Sequence, residues 1–230
     1  MLPGRLCTEP NKYNFLRMTD KPELLLIGGG GHCLSVIESI ERSGKYKIIG
    51  ISDLREKISQ MVGGYPIVFS DDQIPLSGEK ENLYYLVTVG QIKSSAIRSR
   101  IFSNLRQHDV LFATVIDPAA IVSDKAEIGP GTVILRNCFV NSGAKIGVNC
   151  IINTGAIIEH ESTVGDNVHV STGAIINGDC VIGDDCFVGS GAIISHGIKV
   201  GAGSVIGAGA VVLKNVEGGT WLGNPARRIY

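Results

Sequence analysis

From Val115 to Val216 the chain is written in units of six, VIDPAA, IVSDKA, EIGPGT and onward to VVLKNV, seventeen hexads without an insertion. The second residue of every hexad is Ile or Val, from Ile116 and Val122 through Val164 and Val170 to Val212. The sixth is usually small, as at Ala120, Cys138, Ala156, Ala174, Ser204 and Ala210. A period of six is neither the 2 of an amphipathic strand nor the 3.6 of a helix. A fixed short repeat means stacked units. One branched apolar residue and one small one per side is what a narrow coil of short parallel strands needs to fill its interior.

A second period fixes the cross-section. Gly follows the branched residue at Gly129, Gly147, Gly165, Gly183 and Gly201, eighteen residues apart each time. Three hexads therefore make one turn of a triangular prism, and the seventeen hexads give five full coils and two further sides. Successive coils should lie about 4.8 Å apart. These glycines are expected to supply the backbone conformations that turns require.

The repeat divides the chain into an expected leader (1–22), an α/β domain (23–114), the solenoid (115–216) and a tail (217–230). A net charge of −1 without basic runs argues against nucleic acid or an anionic membrane surface as partner. No apolar run approaches the ~20 residues of a membrane span, and residues 1–22 lack the apolar core of a signal peptide. A soluble, cytoplasmic protein is the expectation. The leader carries Pro3, Gly4, Pro10, Asn11, Asn14 and Pro22 with little periodicity, and Met18 is an alternative start. Of the six cysteines, Cys138, Cys150, Cys180 and Cys186 fall on the small inward position of a hexad, so they read as packing residues. A thiol nucleophile must be reachable, which these are not expected to be. Neither Cys7 nor Cys33 is given a role.

Leu24–Ile27 reads as a short buried strand, Gly28–Gly31 as a turn, Cys33–Ser43 as a helix and Tyr46–Ile51 as a second strand, together one βαβ unit. A glycine turn feeding a helix N-terminus aims backbone N–H groups at a place where a phosphate can sit. Asp53 follows the last glycine by 22 residues, near the distance at which an acid meets a nucleotide ribose. The G-x-G-x-x-G fingerprint that starts at Gly28 nevertheless ends on Cys33. A nicotinamide site is thereby disfavoured, leaving a phosphate-bearing ligand such as a nucleotide sugar, with His32 as a donor, or a turn that only packs strand on helix. Further strands are expected at Pro66–Phe69, Leu83–Val89 and Val110–Thr114, around a polar loop at Ser70–Asn82. A helix is expected at Ile92–Gln107 with Ile97, Ile101 and Leu105 in line.

Within the solenoid few groups can move protons. His160 is the fourth residue of its hexad, at a corner, between Glu159 and Glu161. His196 holds the same place 36 residues later, two coils along one edge, with Gly178 between them. His169 is the first residue of its hexad, on a face pointing outward. Two imidazoles two coils apart stand roughly 9 to 10 Å apart along the prism, too far to share a zinc that each nitrogen must approach to about 2.0–2.1 Å. No metal is expected. A carboxylate beside an imidazole fixes its tautomer, and His160 with Glu161 is the equipment of a general base.

The run NTGAIIEHESTVGDNVHVSTGAIINGDCVIG, the GGGGH turn before it and GNPARRI at the C-terminus resemble the bacterial hexapeptide-repeat sugar acetyltransferases. Among them the closest in motif are the UDP-4-amino-sugar N-acetyltransferases and the sialic acid O-acetyltransferases. The resemblance runs from residue 24 to 230. It implies a small Rossmann-like α/β domain followed by a left-handed parallel β-helix, a hand that ordinary parallel crossovers do not have. It also implies His160 as catalytic base, Glu161 as the acid that supports it, and His169 as a contact to acetyl-CoA. The cofactor track runs past Gly178, Ser190 and Ala208 along one prism edge. Gly30, Gly31 and His32 match the turn that holds a nucleotide sugar, and Asp53 matches the first of two acids after the second strand. Leu54 stands where the second acid is common, which departs from the pattern. The resemblance further implies a homotrimer with acetyl-CoA between neighbouring prisms, for which Leu135, Phe139 and Phe187 would offer outward apolar surface.

The expected activity is acetyl-CoA-dependent N-acetylation of a UDP-linked 4-amino-4,6-dideoxy sugar in bacterial surface glycan biosynthesis. Transfer is direct, without an acyl-enzyme, and a backbone N–H near Gly178 faces the oxyanion. O-acetylation of a sialic-acid-type sugar is the rival on the same scaffold. A non-catalytic sugar-binding or structural solenoid is the rival of another class.

Overall fold

The structure is a computed structural model that describes residues 21–74, 82–92 and 94–229. All but the last two residues of the expected leader, with Met18 and Cys7, lie outside the described residues, as does much of the polar loop before Asn82.

The chain opens with β1 (Glu23–Ile27), α1 (Gly31–Ser43) and β2 (Lys47–Asp53), then β3 (Met61–Val62), β4 (Tyr65–Ser70), β5 (Leu83–Val87), α2 (Ala96–Arg106) and β6 (Leu111–Phe112). The sheet order is β3-β4-β2-β1-β5-β6, parallel except for the β3–β4 hairpin. β1 is buried on both faces, which is why ELLLI reads as an unbroken apolar run. On one side Leu24 and Leu26 pack with Val36, Ile37 and Ile40 of α1. On the other, Leu25 and Ile27 pack with Phe102 and Leu105 of α2. Both clusters take in solenoid residues, Val115, Val133 and Leu135 on the first side and Val148 on the second. The two regions therefore share hydrophobic surface rather than meeting at a polar linker.

The face expected for α2 holds at Ile101 and Leu105, which pack with β1, and fails at Ile97. Ile97 is 60% exposed, whereas Arg98, one residue on, is 1% exposed and points toward the solenoid. Arg98 breaks the apolar pattern on which the sequence reading relied. The helix also begins at Ala96 rather than Ile92, so Gln91 belongs to the connection between β5 and α2.

Each hexad folds as a two-residue strand and a turn, with the branched second residue inside. Val133 pairs in parallel with Val115 below and Ile151 above, so the eighteen-residue spacing is the coil register. The column is a left-handed parallel β-helix with three sheets, one to each face. Cys138, Cys150, Cys180 and Cys186 are buried at the inward small position, and each Sγ donates to a carbonyl of the next coil. Burial pushes the Cys150 thiol up to about 12. At the C-terminal end Thr220–Leu222 adds to the first sheet, and Arg227–Arg228 folds back antiparallel on it.

The glycines that mark the period act by smallness rather than by conformational freedom. A Cβ on Gly129 would lie 2.6 Å from the backbone carbon of Gly147 in the coil above, and one on Gly183 would lie 2.6 Å from the Ala202 nitrogen. The left-handed conformation falls instead on the fifth residue of the hexad. There it is taken by Gly, by Asn137, Asn149, Asn167, Asp179 and Asp185, and by Glu161.

The three faces differ. The first, Val115–Val133–Ile151–His169–Phe187–Val205, carries the N-terminal sheet and helices over its lower coils. Leu135 is 2% exposed in that junction and is not the free outward surface expected of it, whereas Phe187 packs edge-on to His169 and stays half-buried. The second face runs Ile121, Phe139, Ile157, Ile175, Ile193, Val211, an apolar ladder left open by the described residues and on which Ile121 is 65% exposed. The third is mostly polar, with Glu127 and Lys145 paired at 3.3 Å.

Candidate active site

His160 stands at the edge between the second and third faces. Its side chain is 51% exposed, and Nδ1 lies 3.4 Å from Oε2 of Glu161. Glu159 holds the turn from the other side, accepting 2.6 Å from Asn141 Nδ2 and 3.4 Å from the His160 backbone N–H. With Nδ1 turned to the carboxylate, Nε2 is free toward the edge. It leans over Gly178 in the next coil, where a Cβ would lie 2.5 Å away. The His196 ring reaches toward the same spot from above, and the two centroids are 6.3 Å apart. That is closer than the coil spacing predicts, so the rings lean toward each other rather than standing straight out from the edge.

The glycine turn is divided among different tasks. Gly28 takes φ 105, a conformation that favours glycine, with its N–H donating 2.8 Å to Ser52. Gly29 packs so closely that a Cβ would lie 3.2 Å from the Asp53 carboxylate. Gly30 and Gly31 would meet nothing within 4 Å, so the N-terminus of α1 opens onto free space. Asp53 is already engaged: its carboxylate accepts from the N–H of Gly29 at 2.8 Å and of Leu54 at 2.7 Å, and pairs with Lys57 at 2.9 Å. Burial opposes ionisation of Asp53, but these donors together hold it below the ordinary carboxylate range. A cavity of about 530 Å³ lies between the carboxyl ends of β1, β2 and β4 and the length of α2, lined by Ile27, Leu54, Asp72, Ile97, Arg100 and His108 among others.

His169 lies on an outward face of the prism, as its register requires, but Gln91, His32 and Phe187 gather around it and it is 7% exposed. Its Nδ1 donates to the Gln91 carbonyl at 2.7 Å, and its Nε2 accepts from Asn153 Nδ2 at 3.2 Å. Burial, with Arg98 nearby, brings its pKa down to about 4. The His32 ring is 6.4 Å away with a buried, unpartnered Nε2, and burial with His169 and Arg98 lowers it to about 3. Arg98 clamps this junction. Its guanidinium donates to Gln91 Oε1 and to the Asn167 carbonyl, each at 2.7 Å, and to the Asn149 carbonyl. Burial lowers even this group to about 10. Sequence reasoning passed over Gln91 and Arg98, because nothing in their local spacing signals a partner fifty or more residues away.

The chain thus assembles two groups. His160, Glu161, Gly178 and His196 share one edge, while Gly30, Gly31, His32 and Asp53 gather with His169 where the N-terminal domain docks on another. Within one prism Gly178 stands on a different edge from the other two residues expected on the cofactor track. Ser190 and Ala208 sit on the edge between the first and second faces, since they lie 12 and 30 residues from Gly178 rather than a multiple of eighteen. Ser190 Oγ is 2.9 Å from Ser171 Oγ there.

The family model described as the PglD N-terminal domain matches residues 23–105, and the bacterial transferase hexapeptide model (six repeats) matches residues 179–214. The acetyltransferase domain of PglB from Neisseria gonorrhoeae superposes with a TM-score of 0.83 at 31% identity, over 91% of this chain and 100% of that one. The chain belongs to the bacterial hexapeptide-repeat sugar acetyltransferases. It is an acyltransferase accordingly. The same PglB domain in complex with acetyl coenzyme A superposes on this acetyltransferase with a TM-score of 0.82. PerB from Caulobacter crescentus, in complex with CoA and GDP-perosamine, does so at 0.82 with 29% identity, over 90% of this chain and 97% of that one. No curated protein matches this acetyltransferase in sequence. Among its described residues no helix is long and apolar enough to cross a membrane, and no cluster of three or more His, Cys, Asp or Glu residues could hold a metal ion.

Proposed function

We propose that this acetyltransferase moves the acetyl group of acetyl-CoA onto the amino group of a nucleotide-linked 4-amino-4,6-dideoxy sugar, with His160 as general base. The observation that carries the reading is the exposed His160–Glu161 pair, with Nε2 leaning over a glycine on the rim of the apolar second face. Glu161 fixes the Nδ1–H tautomer. His160 Nε2 accepts the amine proton while the nitrogen attacks the thioester carbonyl, and the backbone around Gly178 supplies donors for the developing oxyanion. Acetylation is direct, so no acyl-enzyme forms.

The open amides at Gly30 and Gly31, at the head of α1, suit the pyrophosphate of the sugar nucleotide. His32 lies beside them. Asp53 serves by pinning the turn to β2 and by holding Lys57 at its mouth. The adjoining cavity, at the strand ends where open α/β sheets take ligands, is offered to the nucleobase. We assign uracil there, and a GDP-sugar, the kind bound to PerB, is the competing choice.

The two residue groups lie on different edges of one prism, which supports a trimer. The Ile121–Val211 ladder would pack against a second copy, so that the His160 edge of one protomer faces the Ser190–Ala208 edge and glycine turn of the next. Acetyl-CoA would lie in that seam against Gly178, Ser190 and Ala208, with His169 behind them. The substrates are cytoplasmic metabolites, and the product would feed surface glycan biosynthesis.

The test is CoA release from acetyl-CoA with a panel of UDP-4-amino-4,6-dideoxy sugars, GDP-perosamine, and free or CMP-linked sialic acid. Turnover with an amino sugar nucleotide and none with sialic acid supports the reading. Turnover with sialic acid alone would replace it with O-acetylation, and none with any acceptor would favour a non-catalytic solenoid.

A further inference from the structure

The fourth residues of the hexads along the His160 edge are Asp124, Ser142, His160, Gly178, His196 and Lys214. Two of the five histidines of the chain share this edge, and the reading above uses only His160. His196 is exposed and makes no hydrogen bond to any described residue, so both of its nitrogens are available. Its ring centroid is 6.3 Å from that of His160, tilted 43° to it. Gly178 makes the approach possible, because any side chain there would occupy the space into which His160 Nε2 points. The two imidazoles are chemically unequal. His160 has a carboxylate 3.4 Å from Nδ1, and His196 has none among its contacts.

We propose that His196 is the general acid that protonates the departing CoA thiolate, the counterpart of His160 on the other side of the reacting carbon. This rests on the acetyl-transfer reading above. The amine lone pair forms the C–N bond as His160 Nε2 takes the amine proton. The C–S bond then breaks with its electron pair left on sulfur, and His196 gives that sulfur a proton. The net change is one proton moved from amine to thiol. A proton passed through water from His160 to His196 restores both rings, and no further reactant is consumed. The geometry suits this division. Nitrogen and sulfur are bonded to the same tetrahedral carbon, so rings 6.3 Å apart can each come within about 2.6–3.2 Å of one of them.

The charges facing the pair are Glu159 and Glu161 from the His160 turn, Asp179 beside Gly178 and Lys214 one coil beyond His196. The step needs His196 protonated when the C–S bond breaks, so the pH profile of kcat should carry an alkaline limb that depends on His196.

The experiment compares kcat and KM against pH for the full chain, H196Q and H160A, using acetyl-CoA and the fastest acceptor of the panel. H196Q should lose about 10²-fold in kcat, the low end of the general-acid range because a thiolate leaves without full protonation. Its alkaline limb should vanish, its KM for acetyl-CoA should stay within about threefold of wild type, and its thermal midpoint should not move. An H196Q profile that keeps the alkaline limb, with or without a fall in kcat, would overturn the proposal while leaving the role of His160 intact. Undiminished turnover in H160A, or no turnover with any acceptor, would remove the underlying reading and this inference with it.

Discussion

The Glu161 carboxylate lies 3.4 Å from Nδ1 of His160, and it does so from a backbone φ of 58°, at a hexad position otherwise left-handed only for Gly, Asn or Asp. A long side chain in that region costs about 1–2 kcal/mol, and such outliers gather where function requires them. Glu161→Gly should therefore stabilise the fold by about 1 kcal/mol in urea unfolding. It should also lower kcat by about 10²-fold, as the base loses its orienting partner. A variant that is neither more stable nor slower would separate Glu161 from both roles.

Gly178 carries the second prediction. An added methyl would sit 2.5 Å from His160 Nε2 and 2.6 Å from Cε1, so in Gly178→Ala the ring must swing out of the edge. The clash is with the far end of an exposed side chain, so stability should change by less than about 0.5 kcal/mol. Turnover should nevertheless fall at least about tenfold, because the base no longer meets the proton it removes. Steady-state kinetics beside a thermal melt would distinguish this from simple misfolding.

The domain junction gives a pH dependence of stability. In the folded chain burial holds His32 at about 3 and His169 at about 4, against 6.5 for an unhindered histidine. Between pH 6.5 and about 4 the unfolded chain binds protons that the native junction refuses. Stability from this source is complete above pH 6.5 and declines as the pH falls toward 4. The urea midpoint should drop from pH 7.5 to 5.0, and His169→Phe should show a shallower drop. Equal slopes in the two proteins would contradict the burial of His169.

The solenoid was legible because its interior admits one branched and one small side chain per side, so packing writes itself into the sequence every six residues. Cys138, Cys150, Cys180 and Cys186 followed from the same rule. Places where distant segments meet were not legible. Arg98 drew no notice on a helix whose expected apolar stripe ran through Ile97, yet it is buried on the carbonyls of Asn149 and Asn167, 51 and 69 residues away. Leu135 and His169 point outward from the prism as predicted, but the N-terminal domain covers that face. Coil spacing put His160 and His196 two coils apart on one edge, and missed the lean that brings their rings to 6.3 Å.

The central claim is that His160 removes the proton of an amino sugar as it attacks acetyl-CoA, and its most direct test is the rate of CoA release by His160→Ala with the acceptor the wild type prefers. The account predicts a fall of about 10² to 10⁴ in kcat, with the KM for acetyl-CoA little changed. Turnover within about threefold of wild type in that variant would contradict it.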